Sequence, residues 1–215
     1  MPFDEMDFAF ATRVSKLASK HVRRATELDA AWRDVVKAAR PAIGPALAKA
    51  ALELPIASGL VTITSEFAAL LARDNAGPAK KVNGLWFGLA ELCTEDSAEN
   101  TVWMPYICGS VKFNPKNHDW PCNPAWFPED RWAPNEPMTA LSRLRDKHRK
   151  RAWYIDTCLL EPLHQLYVAH FARGCPAAIL LGKSKSRGIG CGFDDGDLMT
   201  IGVSDQNGFT PAKAS

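Results

Sequence analysis

The sequence predicts an α+β fold, with a long N-terminal helix and further helices packed on an antiparallel β-sheet in a single domain. Three observations carry that expectation. Residues 4–40 repeat apolar side chains at spacings of three and four, the signature of a helix with one buried face. Residues 82–93, 101–113, 188–193 and 198–203 are short runs rich in aromatic, β-branched and small residues, bounded by turn formers. Residues 137–174 then return to helical spacing between the two groups of strands.

In chain order, residues 4–40 read as one helix, with Ala11, Val14, Ala18, His21, Ala25, Leu28, Trp32, Val35 and Ala39 on one stripe. Pro41, Gly44 and Pro45 end it. Alanine at alternate stripe positions favours close packing on a neighbouring helix over a coiled coil. Short helices follow over 46–54 and 65–73, the second with Thr64 as N-cap and Asn75-Ala76-Gly77-Pro78 as its stop. Residues 82–93 and 101–113 form two antiparallel strands around the polar stretch 94–100. Helix resumes at Pro137, a suitable first-turn residue, and buries Leu141, Leu144, His148, Ala152, Ile155 and Leu159. Pro162 kinks this helix or starts another, which ends at Gly174 ahead of Pro176. The chain returns to β over 177–181, 188–193 and 198–203, with Asp195-Gly196 as the last hairpin turn. The domain thus spans 1–203, with a helical part over 1–81 and a mixed part over 82–203. A polar, frayed tail follows over 204–215.

At 215 residues, 47% hydrophobic and 23% charged, the chain has the composition of a globular domain. It contains no apolar run of the ~18 residues that span a bilayer. The acidic N-terminus and six scattered cysteines suggest a cytoplasmic protein with free thiols. The net charge of +2 conceals a segregation: 3 Lys+Arg against 8 Asp+Glu over 82–136, then 10 against 3 over 137–187. Such asymmetry bears on partners rather than on fold.

The insertion 114–136, NPKNHDWPCNPAWFPEDRWAPNE, holds Trp120, Trp126 and Trp132 among five prolines. Loops of this length inside a domain are functional or disordered, and three tryptophans argue against disorder. The rings either staple the loop over the sheet or form a contact surface with Glu129 and Asp130, beside Glu95, Asp96 and Glu99 of the hairpin loop. The run Arg143, Arg145, Lys147, Arg149, Lys150 and Arg151 suits either phosphates or a solvated helix face. Asp194, Asp195 and Asp197 read as a turn before a metal site. Cys93, Cys108, His118 and Cys122 lack the C-x₂₋₄-C unit of structural zinc, and Cys158 and His164, six apart, lie on different helix faces. His21 and His148 both fall on apolar stripes, where packing together would make the fold sensitive near neutral pH. Neither a hydrolase elbow, a zinc-protease helix nor a dinucleotide loop is present, so no catalytic residues, metal or cofactor are assigned.

Trp86-Phe87-Gly88-Leu89-Ala90-Glu91, the hairpin it opens, the Trp/Pro insertion and Gly192-Phe193-Asp194-Asp195-Gly196-Asp197 together resemble small bacterial immunity proteins of polymorphic toxins. That resemblance implies a non-enzymatic antitoxin-type inhibitor, whose protein partner is a toxin covered at its active site. An acidic aromatic surface suits a basic partner, because complementary charge speeds encounter. Two other readings stand beside it: nucleic-acid binding through the basic run, and an enzyme of another family using the aspartate turn or a cysteine.

Overall fold

The computed structural model describes residues 7–94, 97–116, 119–122, 124–194 and 198–213, with the backbone alone for 80, 94 and 97–100. The first helix, α1 (Phe8–Arg24), is capped by Asp7, whose carboxylate accepts from the Phe10 amide at 2.8 Å. It ends at Ala25 in the left-handed region, φ 51°, and α2 (Leu28–Ile43) begins three residues later. The expected single helix is therefore two. The apolar stripe runs through the break, and every stripe residue from Ala11 to Ala39 is buried except the exposed Ala25. Thr26 fixes the corner: its hydroxyl lies 3.1 Å from His21 Nδ1 and its carbonyl 3.2 Å from His170 Nε2. His21 also sits 3.4 Å from Asp34, whereas His148 ends a different helix. Among the described contacts none joins the two rings, so the pairing that helix packing would have allowed is not formed there.

Two further helices complete the N-terminal layer. Pro45 opens α3 (Pro45–Leu52), and α4 (Ile56–Asp74) follows Pro55, nine residues earlier than the Ser65 start expected from the sequence. Among the described residues α4 alone is long and apolar enough to cross a membrane by length and composition. Its Ile63, Phe67, Leu70 and Leu71 are buried in the core, where Phe67 meets Phe87 and Phe171.

The sheet has the order β2-β1-β3-β4-β5 and is mixed. β1 (Gly84–Thr94) pairs antiparallel with β2 (Ser97–Ser110), as the two aromatic runs require, and parallel with β3 (Ser186–Phe193). β4 (Met199–Asp205) and β5 (Gly208–Pro211) continue antiparallel, so part of the expected frayed tail forms an edge strand. Alternation along β1 separates two cores. Leu85, Phe87 and Leu89 face the helices, while Trp86 and Ala90 join Tyr106, Cys108 and Trp120 on the opposite face.

Helices cover the first of these faces. Asn135 caps α5 (Glu136–Lys147) by accepting from the Met138 amide at 3.3 Å, and its side chain donates to the Gly59 carbonyl of α4 at 2.9 Å. A 3₁₀ turn (Arg149–Arg151) leads into α6 (Ala152–Ile155). A π-helical turn (Asp156–Leu160) then joins it to α7 (Glu161–Gly174), with Pro162 in the first turn of α7. Residues 177–181, expected as strand, form α8 (Ala177–Leu181): the Ile179 and Leu180 amides both donate to the Pro176 carbonyl at 2.9 Å. Arg187 on β3 is wholly buried and donates to the carbonyls of Ala79, Leu180 and Val82 at 2.9, 3.0 and 3.1 Å. Desolvation lowers its pKa to about 10, so it is still cationic at neutral pH.

Candidate functional site

The Trp/Pro insertion is built across the outer face of the sheet and back along β2. Its second half runs as an irregular strand beside β2. The Gly109 amide donates to the Trp126 carbonyl at 2.9 Å, Ile107 to Arg131 at 3.1 Å, and Ala133 donates to Pro105 at 2.9 Å. Trp120 lies edge-on to Trp86 and Phe113 and donates from Nε1 to the Thr200 hydroxyl at 3.2 Å. Such close approach needs strands without side chains beneath the rings. Gly188 and Gly190 of β3 supply it: a Cβ on the first would collide with Phe113, and on the second with Trp120 at 2.8 Å. The alternating Gly188, Gly190 and Gly192 of the sequence is thus the mark of a strand overlaid by aromatic rings, a signal that the reading by composition did not use.

Trp126 is inserted on the other side of β2. It is 2% exposed, and its Nε1 donates to Asp74 Oδ2 at the end of α4 at 2.8 Å. Arg73, adjacent to Asp74, pairs with that carboxylate and with Asp130 of the insertion. The Arg73 guanidinium holds both carboxyls below the usual range. Trp120 and Trp126, expected on a partner surface, are therefore internal, because the sheet and α4 offer each indole an apolar bed and a hydrogen-bond acceptor.

What remains outward is a ridge. Phe127 is 52% exposed, and the guanidinium carbon of Arg131 lies 3.9 Å from its ring centroid and 4.6 Å from that of Trp132. Trp132 is half-buried against Tyr106, whose ring centroid is 5.3 Å away. Arg131 also donates to the Pro128 carbonyl at 3.0 Å, closing the turn that presents Phe127. Of the expected acidic contacts, Glu129 and Asp130 are exposed beside this ridge, Asp130 with Arg73 as its partner. Glu95, Asp96 and the side chain of Glu99 lie outside the described residues. Phe127 was among the aromatic residues of the insertion read from the sequence, though not among its expected contacts, and Arg131 was not singled out.

The basic run does not form one surface. Arg145 is buried, 2.7 Å from Glu91 and 3.0 Å from Asp146, with Asp156 at 3.9 Å. It fastens α5 to the hairpin, which corrects its place in a phosphate-binding face. Arg151 donates to the Ile43 carbonyl at the end of α2. Arg143, Lys147, Arg149 and Lys150 are exposed. Cys158 and His164 are both buried, the thiol pushed up to about 11 and the imidazole down to about 3 by desolvation, so neither ionises at neutral pH. Asp194 accepts from the Tyr106 hydroxyl, while Asp195 and Asp197 lie outside the described residues.

No family model, no curated protein and no solved structure matches the chain.

Proposed function

We propose that the protein is a non-enzymatic binding protein that captures a basic protein partner on the ridge formed by Phe127, Arg131 and Trp132. One observation carries the reading: an exposed phenylalanine and a half-buried tryptophan clamp an arginine on a loop pinned by buried tryptophans. Aromatic rings and arginine are the side chains that dominate interface energetics, and a pinned loop pays little ordering entropy on binding. The sign of the partner follows from the deficit of five positive charges over 82–136. An immunity-type inhibitor of a basic toxin is the specific form that this composition suits.

The test is affinity capture from the native host with wild-type and Phe127→Ala/Trp132→Ala protein at equal thermal stability. A single basic protein, held by the wild type and lost by about tenfold or more in the variant, is expected. Undiminished capture by the variant refutes the assignment. Retention on DNA that disappears in Arg149→Gln/Lys150→Gln would instead favour the nucleic-acid reading.

A further inference from the structure

The outward side of α1 carries a charged feature separate from the ridge: α1 packs on α2 and α7, whereas the ridge is held by β2. Arg13, Lys16, Lys20, Arg23 and Arg24 are all exposed, and no Asp or Glu lies between Phe8 and Arg24. At about 100° per residue the five side chains leave the helix within an arc of about 100°, and Arg13 and Arg24 stand about 16 Å apart along its axis. Ala11, Val14, Ala18 and Val22 occupy the buried side. The exposed side is thus a single cationic stripe.

Helix stability does not account for it. Like charges three or four residues apart destabilise a helix, and Arg13 stands so to Lys16, Lys16 to Lys20, and Lys20 to both Arg23 and Arg24. The helix dipole favours cations at the C-terminal end, which covers Arg23 and Arg24 but not Arg13 or Lys16. None of the five makes an ion pair with a described residue. Asp7 and Glu27 stand beyond the two ends, and Asp34 of α2 reaches α1 at the buried His21. By contrast α2 interleaves Asp29 and Asp34 with Arg33 and Lys37. Lys213 adds a sixth cation, lining the cleft between α1 and α7 together with Lys16 and Arg23. Glu161, the one carboxylate of that lining among the described residues, is half-buried on the opposite wall.

We propose that the α1 stripe binds the phosphate backbone of duplex DNA without regard to sequence. A straight row of uncompensated cations matches a straight row of phosphates, and contacts of this kind position a protein on DNA without reading bases. An acidic protein is a poorer match, because protein interfaces are anchored by aromatic side chains and depleted in lysine, and only Ala9 and Thr12 share the stripe. An anionic bilayer would need the apolar side of the helix, which is already buried in the core. Single strands are held by stacking on aromatic rings, and none stands in the stripe. Duplex RNA is read through its 2′-hydroxyls, for which the stripe offers one neutral polar side chain, Thr12.

The test is fluorescence anisotropy of a labelled random-sequence DNA duplex of about 20 base pairs, between about 50 and 200 mM NaCl. The wild type is expected to bind at micromolar concentrations at the low-salt end. Its log affinity should fall with log salt at a slope of about −4.5, near −0.9 for each of five phosphates. Arg13→Gln/Lys16→Gln/Lys20→Gln places good helix formers at exposed positions and should melt as the wild type does. It should bind about tenfold or more weakly at low salt and flatten the slope by about 3. Arg149→Gln/Lys150→Gln and Phe127→Ala/Trp132→Ala should both bind DNA as the wild type does, so this proposal and the capture function fail independently. A readout that needs no variant is the set of backbone amide resonances, whose shifts on adding duplex should concentrate in α1. Single-stranded DNA, duplex RNA and phosphatidylserine vesicles should each bind more weakly than duplex DNA. Absence of binding to the wild type, a slope near zero, a triple variant that binds undiminished, shifts centred outside α1, loss of binding in Arg149→Gln/Lys150→Gln, or tighter binding of any comparison ligand would each overturn the proposal.

Discussion

Replacing Trp126 by alanine separates a structural tryptophan from a contact tryptophan. The side chain is 2% exposed, sits in the main core and donates to Asp74 at 2.8 Å. Truncating a buried tryptophan costs about 3–5 kcal/mol through lost transfer energy and the cavity left behind. The hydrogen bond to a carboxylate adds about 1.5 kcal/mol, the low end of its range, because Asp74 keeps Arg73 as a partner. A total near ~5 kcal/mol corresponds to a melting temperature lowered by roughly 10–20 °C for a domain of this size. Trp126→Phe keeps most of the packing and loses the donor, and should cost about 1–2 kcal/mol. Calorimetry on the three proteins, read against Trp132→Ala, which is half-buried and should cost less, checks the order. A Trp126→Ala protein melting within about 2 °C of the wild type would refute the view that this indole fastens the insertion to α4.

Two buried charges give further expectations. Arg187→Met strands the carbonyls of Ala79, Leu180 and Val82 and should lower stability by about 3–5 kcal/mol in urea unfolding. Arg187→Lys should recover little, since one ammonium cannot span three acceptors fixed for a planar fork, and full recovery would count against the argument. Desolvation outweighs the pull of Arg145 at Asp156 and raises its pKa to about 7. A folded-state pKa above the unfolded value stabilises below the unfolded pKa and is lost as pH rises through the folded one. Asp156→Asn should therefore be near neutral at pH 4 and more stable than wild type at pH 8, by on the order of 3 kcal/mol. A pH-independent difference between the two proteins would show that this carboxyl titrates normally.

The parts of the fold that were legible in the sequence are those with local signals. The two strands of the hairpin, the start of α5 at Glu136-Pro137 and the end of α7 at Gly174 with Pro176 beyond each rest on a few neighbouring residues. The break at Ala25 was hidden because the stripe stays in phase across it and neither glycine nor proline marks it. Ala177–Leu181 is a short apolar run, and periodicity cannot tell a buried strand from a buried helical turn at that length. The parallel pairing of β1 with β3 and the burial of Arg145 and Arg187 depend on partners tens of residues away, which no local window contains. For the insertion, composition identified the segment but not the facing of its rings. That was decided by Asp74 and by the glycines of β3, both outside it.

The burial of Trp120 and Trp126 changes what the insertion is suited to do. A loop of five prolines with all its tryptophans outward would be a broad adhesive patch exposed to water. Instead two indoles hold the backbone, and the hydrogen bonds to Pro105, Ile107 and Gly109 give its return path the rigidity of a strand. Among the described residues the outward aromatic chemistry of the insertion is thereby reduced to one aromatic–arginine stack, with Glu129 and Asp130 exposed beside it. Under the proposed function, a preformed ridge implies that capture of a partner would require little rearrangement of this chain. Removing Phe127 or Trp132 should then act mainly on the dissociation rate, while neutralising Glu129 should act on the association rate and its dependence on salt. A ridge that had to assemble on contact would instead show slowed association for the aromatic variants, and the kinetic split between ring and charge distinguishes the two.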